Sequence, residues 1–383
     1  MDKVKKWVWQ HENYPEFDYR YEEIAPLISS VSRNTGKLEY AAHILDQKDL
    51  NDIVIDTATN EIIQSSEIEG EILDRDSVRS SIRKKLGNPT DESLDHSTRH
   101  SDGLADILID SSFNPAPLNE KRLNGWHNAL FPTGYSGGYK INVAKYRRDE
   151  MRVVSHRGYR EIGHYEAPSP EHVGEEMKKL LVYINHSQED PYIKSAVAHL
   201  WFVIIHPYDD GNGRIARNIV NYILAKELGL NHQYFSISNM IAKEKRSYYD
   251  ILERSNNLIY NRNFDFTEWI AWHTDAVDRA IEHSLLEIEK VVQKAKFWDQ
   301  ARHYALNDRQ IKVLNKMLDK GVDAFEGALS TKKYAAITKT SIPSAKRDIS
   351  RLVEYGLLRQ VKGTAGRNIR YEVVVLEDRP PAS

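Results

Sequence analysis

The twelve residues from His206 to Arg217 read HPYDDGNGRIAR. Each type has an ordinary structural use. A histidine after an apolar helix is commonly a hydrogen-bonded core residue, Asp-Gly marks turns, and arginines three apart often line a solvated helix face. Together they describe phosphate chemistry. Gly211, Asn212 and Gly213 run straight into a helical pattern, so their free backbone N–H groups and the helix dipole would form a nest for an anion. Arg214 and Arg217 lie on the first turns of that helix and can clamp phosphate oxygens, with Ile215 and Ala216 between them in the same nucleotide-binding turn. Asp210 is a hard oxygen ligand where Mg²⁺ bridging two phosphates would sit. His206, at the far end of the turn, could take a proton from an attacking hydroxyl. Cradle, clamp, metal ligand and base make up a nucleotidyl-transfer site. No Gly-Lys-Ser/Thr accompanies the glycines, which excludes a Walker A loop.

Two helices must hold this turn. The preceding one is predicted from Tyr192 to Ile205, starting at Asp190-Pro191, and is apolar on most sides as a central helix should be. The following one repeats Ala216, Ile219, Val220, Ile223 and Leu224 at helical spacing and stops at Gly229. Around them, residues from about 104 to 255 read as mostly helical. The stretch YRRDEMRVVSHRGYREIGHYEAP reads as a hairpin turning at Gly158. Upstream, an aromatic arm (Trp7, Trp9, Tyr14, Phe17, Tyr19) precedes a helix from about Leu50 to Glu69. The polar segment from Gly87 to Gly103 is either a loop or a short polar helix. Downstream, Ile270, Val277, Ile281, Leu285, Ile288 and Val292 predict a long amphipathic helix from Thr267 to Trp298. Three short helices and two strands around a glycine-containing loop then suggest a winged helix-turn-helix.

Composition sets the outer bounds. The chain has 383 residues, 40% hydrophobic and 28% charged, with a formal net charge of -3. No global basic excess exists, so any nucleic-acid contact must be local. The absence of cysteine excludes disulfides, thiolate catalysis and cysteine-ligated zinc. No run approaches a membrane span, and no apolar leader-like region opens the chain, so a cytoplasmic protein without membrane partners is expected. Residues 341–370 carry seven basic residues (Lys346, Arg347, Arg351, Arg359, Lys362, Arg367, Arg370) against Asp348 and Glu354. This segment fits either DNA or a protein contact, including a homodimer.

HPYDDGNGRIAR closely resembles the signature of the Fic family, His-x-Phe-x-Asp/Glu-Gly-Asn-Gly-Arg-x-x-Arg. Its one departure is Tyr208, where phenylalanine is usual; the added hydroxyl needs a partner. Fic proteins mostly transfer AMP from ATP to a hydroxyl side chain of a target protein. The resemblance implies His206 as general base, Asp210 as Mg²⁺ ligand, Gly211 to Gly213 as the phosphate nest, and Arg214 and Arg217 as contacts to the outer phosphates. GYREIGHYEAPSP resembles the hairpin flap that aligns a target peptide. Tyr249 and Asn256 match positions that hold the adenosine. Upstream, SSEIEG fits the inhibitory pattern Ser/Thr-x-x-x-Glu-Gly at Ser65, Glu69 and Gly70, which implies that Glu69 pairs with Arg217 and restrains the reaction.

The expectation is therefore a mainly α chain. A helical region at 1–95 carries the inhibitory helix, and a Fic-type bundle with a small β-hairpin flap occupies 96–265. A linker helix spans 266–300 and a winged helix-turn-helix 301–375. The expected activity is transfer of AMP from ATP, with Mg²⁺, to a Ser, Thr or Tyr hydroxyl. The alternatives are AMP removal, transfer of another phosphate-containing group, and a nucleotide-sensing transcriptional regulator.

Overall fold

The computed structural model describes residues 5–87, 95–157, 160–229, 234–319 and 328–375, with side chains throughout except at 155–162 and 367. The fold is mainly α. The chain divides into two compact units, residues 1–284 and 285–383. In chain order the elements of the first unit are α1 (Tyr21–Ile44), α2 (Gln47–Ile68), α3 (Arg75–Lys85), α4 (Arg99–Phe113), α5 (Glu120–Leu130), β1 (Tyr135–Ser136), β2 (Tyr139–Lys140), β3 (Arg152–Arg157), β4 (Arg160–Glu166), α6 (Pro170–His186), α7 (Pro191–Ile205), α8 (Asn212–Leu228), α9 (Ile237–Lys243) and α10 (Lys245–Asn256). The long α11 (Thr267–Ala301) contains the division point.

Helix starts follow local chemistry. The Asp46 carboxylate accepts from the Asp49 N–H at 2.8 Å to open α2, and Gly70, at φ +85°, ends it just past Glu69. The Asp190 carboxylate accepts from the Tyr192 N–H at 2.9 Å, and Pro191 occupies the first turn of α7. Almost every side chain of α7 is buried, as expected of a helix at the centre of a bundle. Gly211 (φ +80°) and Gly229 (φ +63°) bracket α8. Ile215, Ala216, Ile219 and Ile223 of α8 share one core with Phe202 and Ile205 of α7 and Leu104 and Leu108 of α4. Each large side chain in it contributes about 1.5–3 kcal/mol by leaving water, so the turn between α7 and α8 is held from both ends.

Two expectations need refinement. The stretch from 131 to 150 is not helical; it holds the short antiparallel pair β1–β2, with Tyr135 opposite Lys140. Gly134, Gly137 and Gly138 all have positive φ there, and this turn chemistry overrides the helical reading. The polar segment after Gly87 leads into α4 at Arg99, capped by the Thr98 hydroxyl; residues 88–94 lie outside the described residues. The expected hairpin is present as antiparallel β3–β4, with a register shift at Val153/Val154, while its turn at Gly158 lies outside the described residues.

The second unit contains α12 (Asp308–Leu318), α13 (Thr331–Thr338), α14 (Ile342–Glu354), β5 (Leu358–Gln360) and β6 (Tyr371–Val373). β5 and β6 pair antiparallel, and Leu329 bridges to Tyr371. Leu314, Tyr334, Ile349, Leu352, Leu357 and Val373 form its core. Asp348 of α14 points inward, where Arg309 grips it at 2.8 and 3.2 Å and the Tyr334 hydroxyl donates to it at 3.0 Å. Among the described residues, no helix is long and apolar enough to cross a membrane.

Candidate active site

The turn between α7 and α8 is built around a left-handed histidine. His206 has φ +50°, a conformation that costs a non-glycine residue about 1–2 kcal/mol. Its N–H still closes α7 by donating to the Phe202 carbonyl at 2.9 Å. The buried Arg147 keeps the chain there. Its Nε donates to the His206 carbonyl at 2.8 Å, its Nη1 to the Asp149 carbonyl at 2.9 Å, and its backbone N–H to the Pro207 carbonyl at 2.8 Å. Nothing in the spacing of YRRDE marks this arginine as a brace of the turn, because the carbonyls it holds there, His206 and Pro207, lie about sixty residues away.

The His206 Nδ1 lies 3.2 Å from the Val203 carbonyl, which assigns the ring proton to Nδ1 and leaves Nε2 with a lone pair. Burial lowers the imidazole pKa below its usual value, and the contact to Val203 only partly opposes this. His206 is therefore neutral near pH 7, in the form that accepts a proton.

The next residues fold the loop onto itself. Asn212 accepts from the Tyr208 N–H at 3.0 Å and donates to the Tyr208 carbonyl at 2.8 Å. Its side chain thus braces the turn, leaving its backbone for an anion. Tyr208 is fully buried and stacks on His127 with ring centroids 4.2 Å apart. Its hydroxyl donates to Asn124 at 2.9 Å, which supplies the partner that the departure from phenylalanine requires. His127 accepts from the Ala144 N–H at 2.9 Å through Nδ1, so its Nε2 carries the proton toward the Asp210 carbonyl 3.2 Å away. Burial depresses the His127 pKa to about 4, so this ring stays neutral.

Asp209 is occupied by Asn142, accepting from its N–H at 2.7 Å and its amide at 2.9 Å. Asp210 accepts from the Gly211 N–H at 2.6 Å and from the Ser136 hydroxyl of β1. Among the described residues, no three acidic or histidine side chains cluster as a metal site. A single carboxylate beside an anion nest still suits Mg²⁺, which usually takes one or two protein carboxylates plus phosphate oxygens and waters.

At the start of α8, backbone approach is close. A Cβ built at Gly211 would press on Leu130 and Phe131, and one at Gly213 would collide with Glu69 Oε1. The Glu69 carboxylate therefore sits over the nest itself. Arg217, fully buried, donates to Glu69 Oε1 at 2.8 Å, to the Ser65 hydroxyl at 2.9 Å and to the Ser65 carbonyl at 2.8 Å. Burial is the largest single influence and opposes charge on Arg217, but Glu69 together with Tyr248 and Tyr249 leaves the guanidinium pKa raised. Arg214 donates instead to Glu71 at 2.6 Å, an acid that motif reading passed over. Buried nitrogens on both arginines, Arg214 Nε and Arg217 Nη1, lack protein partners. Ile215 and Ala216 turn their side chains into the core, so only their backbone can serve a ligand.

A cavity of about 540 Å³ opens beside the turn, lined by Glu69, His206, Gly213, Tyr249 and Asn256 and by Val153, Val154, His164 and Tyr165 of the hairpin. Asn256 Oδ1 is buried and unpartnered. The Tyr249 hydroxyl donates to the Ile68 carbonyl at 3.1 Å, tying α10 to the end of α2. Trp7 packs edge-on against Tyr165 at 5.2 Å, and Trp9 donates to the Glu166 carbonyl at 2.8 Å, so the N-terminal arm supports the base of the hairpin. Glu69, His206, Gly213, Tyr249 and Asn256 thus line one cavity, while Asp210 and Arg214 line a second that also reaches Glu69.

Residues 117–224 match the model of the Fic/DOC family, and residues 7–88 match that of a domain of unknown function, DUF4172. The chain thus carries a Fic domain, with the His206–Arg217 turn inside it. "Protein adenylyltransferase fic-1" of Caenorhabditis elegans is 37% identical over 68 residues, 17% of this chain and 13% of that protein. A "Uridine 5'-monophosphate transferase" of Xanthomonas campestris pv. campestris (strain 8004) is 33% identical over 119 residues, 29% of this chain and 22% of that protein. The chain thus matches less than a quarter of the length of these curated relatives. Among solved structures, a Fic family protein from Desulfovibrio desulfuricans G20 aligns with TM-score 0.55 at 18% identity, covering 96% of this chain and all of that one. A Fic domain containing signaling protein from Bacteroides thetaiotaomicron VPI-5482 aligns with TM-score 0.50 at 20% identity, covering 68% and 97%. At these identities the structures establish a shared fold.

Proposed function

We propose that this chain transfers AMP from ATP to a Ser, Thr or Tyr hydroxyl of a target protein, and that Glu69 restrains the reaction. One observation carries this reading above the rest: the Glu69 carboxylate lies at the N-terminus of α8, over Gly213 and on Arg217. An internal anion there marks the place an external anion takes, and the unpartnered nitrogens of Arg214 and Arg217 offer further donors to a phosphate chain. The cavity beyond His206, with Tyr249 and Asn256 on its wall, has room for a nucleoside.

The chemistry follows from positions along the cleft. The target hydroxyl enters beside the β3–β4 hairpin and gives its proton to His206 Nε2. Its oxygen bonds to the α-phosphorus while the bond to the bridging oxygen of the β-phosphate breaks, and pyrophosphate leaves. The backbone N–H groups at 211–213 hold the α-phosphate oxygens, and Arg214 and Arg217 hold the outer phosphates. Asp210 would hold Mg²⁺, which neutralises phosphate charge when bound. Arg147 and His127 keep the turn in register from either side.

The relative named for uridine 5'-monophosphate transfer makes the donor nucleotide the point to test. Freed of the Glu69 carboxylate, the Glu69→Gly variant is incubated with cell extract and ATP, UTP, GTP or CTP, and the products are read by mass spectrometry. An AMP adduct from ATP, abolished by chelation of divalent cations, is the expected result. A UMP adduct alone would reassign the donor, and loss of AMP from already modified proteins would reverse the direction.

A second reading, also a proposal, takes the second unit as a winged helix that holds duplex DNA. The observation behind it is that the buried Asp348 pairs with Arg309, while Lys346, Arg347 and Arg351 stay exposed on α14. The side chain of Arg367 lies outside the described residues. Binding to duplex DNA should weaken steeply as salt rises, since each neutralised phosphate releases a counterion. Fluorescence anisotropy of the parent and of Lys346→Ala/Arg347→Ala across salt concentrations is the check. Equal binding by the two would show that α14 is not the surface that contacts DNA.

A further inference from the structure

Two residues past Glu69, the chain carries a second carboxylate aimed at the same clamp. Gly70, at φ +85°, lets the backbone leave α2, and the Glu71 N–H donates back to the Ser66 carbonyl at 2.9 Å. This fixes Glu71 against the helix end. Its Oε2 accepts from Arg214 Nη1 at 2.6 Å. Its Oε1 lies 2.8 Å from His100 Nε2, on α4. The contact to His100 is the leading reason that the Glu71 pKa is lowered, with burial opposing it and Arg214 assisting, so the carboxylate is charged at neutral pH. The Arg214 side chain is 9% exposed and stacks on Phe131, with its Nε unpartnered. Glu71 is thus the anion paired with this buried guanidinium.

Glu71, His100, Arg214, Asp210 and Ser136 all line one cavity of about 530 Å³, which also reaches Glu69 and Gly70. This cavity shares Glu69 with the one containing His206, Tyr249 and Asn256, but has no other lining residue in common with it. Nucleoside-sized space and phosphate-clamp space therefore lie on either side of Glu69. The outer phosphates of a nucleotide whose α-phosphate rests on the nest, or the pyrophosphate leaving it, need Arg214 from this second side.

We infer that Glu71 is a second internal anion, which competes with the outer phosphates for Arg214 while Glu69 competes for Arg217, with His100 holding Glu71 in place. The inference rests on the reading of the α8 N-terminus as a phosphate site and extends it: the restraint has two arms, and removal of Glu69 releases only one. It also assigns the arms different effects. Glu69 lies over the nest and governs how the α-phosphate sits. Of the phosphate-binding groups Glu71 touches only Arg214, and it governs how tightly a polyphosphate is held.

The test uses the full chain. Isothermal titration with Mg-ATP and, separately, with inorganic pyrophosphate compares Glu69→Gly, Glu69→Gly/Glu71→Gln and Glu69→Gly/His100→Ala. Glutamine keeps the size of Glu71 and, at a half-exposed site, keeps the fold. Freeing Arg214 from a partly exposed ion pair should tighten both ligands by about three- to tenfold. The His100 variant should move the same way by less, and the gain should appear in KM for ATP more than in kcat. In an Arg214→Ala background the Glu71→Gln gain should vanish. If Glu71 instead aims Arg214 at the phosphates, Glu71→Gln will weaken pyrophosphate and ATP, which overturns the inference. Unchanged affinities in a protein that binds ATP also overturn it while sparing the phosphate site. No binding of either ligand by any variant would remove the underlying reading as well.

Discussion

His206→Ala should lower the rate of AMP transfer by about 10²–10⁴, the contribution of a positioned general base, and leave ATP affinity nearly unchanged. The ring is held with its proton on Nδ1 toward Val203, so Nε2 is the basic atom. None of the phosphate-binding groups depends on that ring. The nest is backbone, Asp210 is fixed by Gly211 and Ser136, and the arginines are anchored from α8. The pH profile carries the sign. Burial lowers the His206 pKa, so the parent rate should be flat from pH 7 to 8 and fall only below the ordinary histidine range, as the base becomes protonated. Alanine at φ +50° is itself strained, by about 1 kcal/mol. His206→Asn is the companion variant, because asparagine tolerates the left-handed region. Both variants should lose the rate, and single-turnover labelling with a titration of ATP separates chemistry from binding. Parental rates in either variant would take the base role away from His206.

Glu69→Gly should raise auto-modification by about tenfold or more, equivalent to 1.4 kcal/mol or more of relief. The carboxylate oxygen that collides with a Cβ at Gly213 lies where the proposed function puts an α-phosphate oxygen, and the same oxygen holds Arg217. Glycine removes both obstructions. The change also has a structural cost. Arg217 is fully buried and would keep only Ser65 as partner, leaving charge poorly paired until a phosphate or water arrives. The variant should therefore melt lower than the parent without nucleotide and regain stability with Mg-ATP, since binding to the folded state alone raises stability. Thermal melts with and without Mg-ATP check this. A variant that melts lower and gains nothing from Mg-ATP would count against the nest as its binding site.

Much of this site is legible in the sequence. The turn was recognisable because its chemistry is local: nest glycines, arginines at helical spacing and a histidine at a helix end occur within twelve residues. The flanking helices were legible too, because Asp190-Pro191 and Gly229 are strong boundary signals. Pairing of Glu69 with Arg217 was accessible through resemblance, although 148 residues separate them. What escaped was structure made by backbone partners and remote packing. Arg147 is one of several arginines in a charged stretch, and only the fold shows that its guanidinium holds the carbonyl of His206. His127 falls in an unremarkable amphipathic helix, and its stacking on Tyr208 is a tertiary fact. Glu71 had a possible signal, an acid just past a helix-ending glycine, but no spacing rule ties it to Arg214. β1–β2 was missed because two-residue strands carry no periodicity.

The central claim is that one carboxylate, Glu69, holds the position that the nucleotide phosphate takes during transfer. Intact-mass measurement of the purified full chain after incubation with Mg-ATP tests it most directly, comparing the parent, Glu69→Gly and Glu69→Gly/His206→Ala. The account predicts little added AMP on the parent, abundant AMP on the single variant and none above background on the double variant. Equal or lower AMP incorporation by a folded Glu69→Gly protein would contradict it.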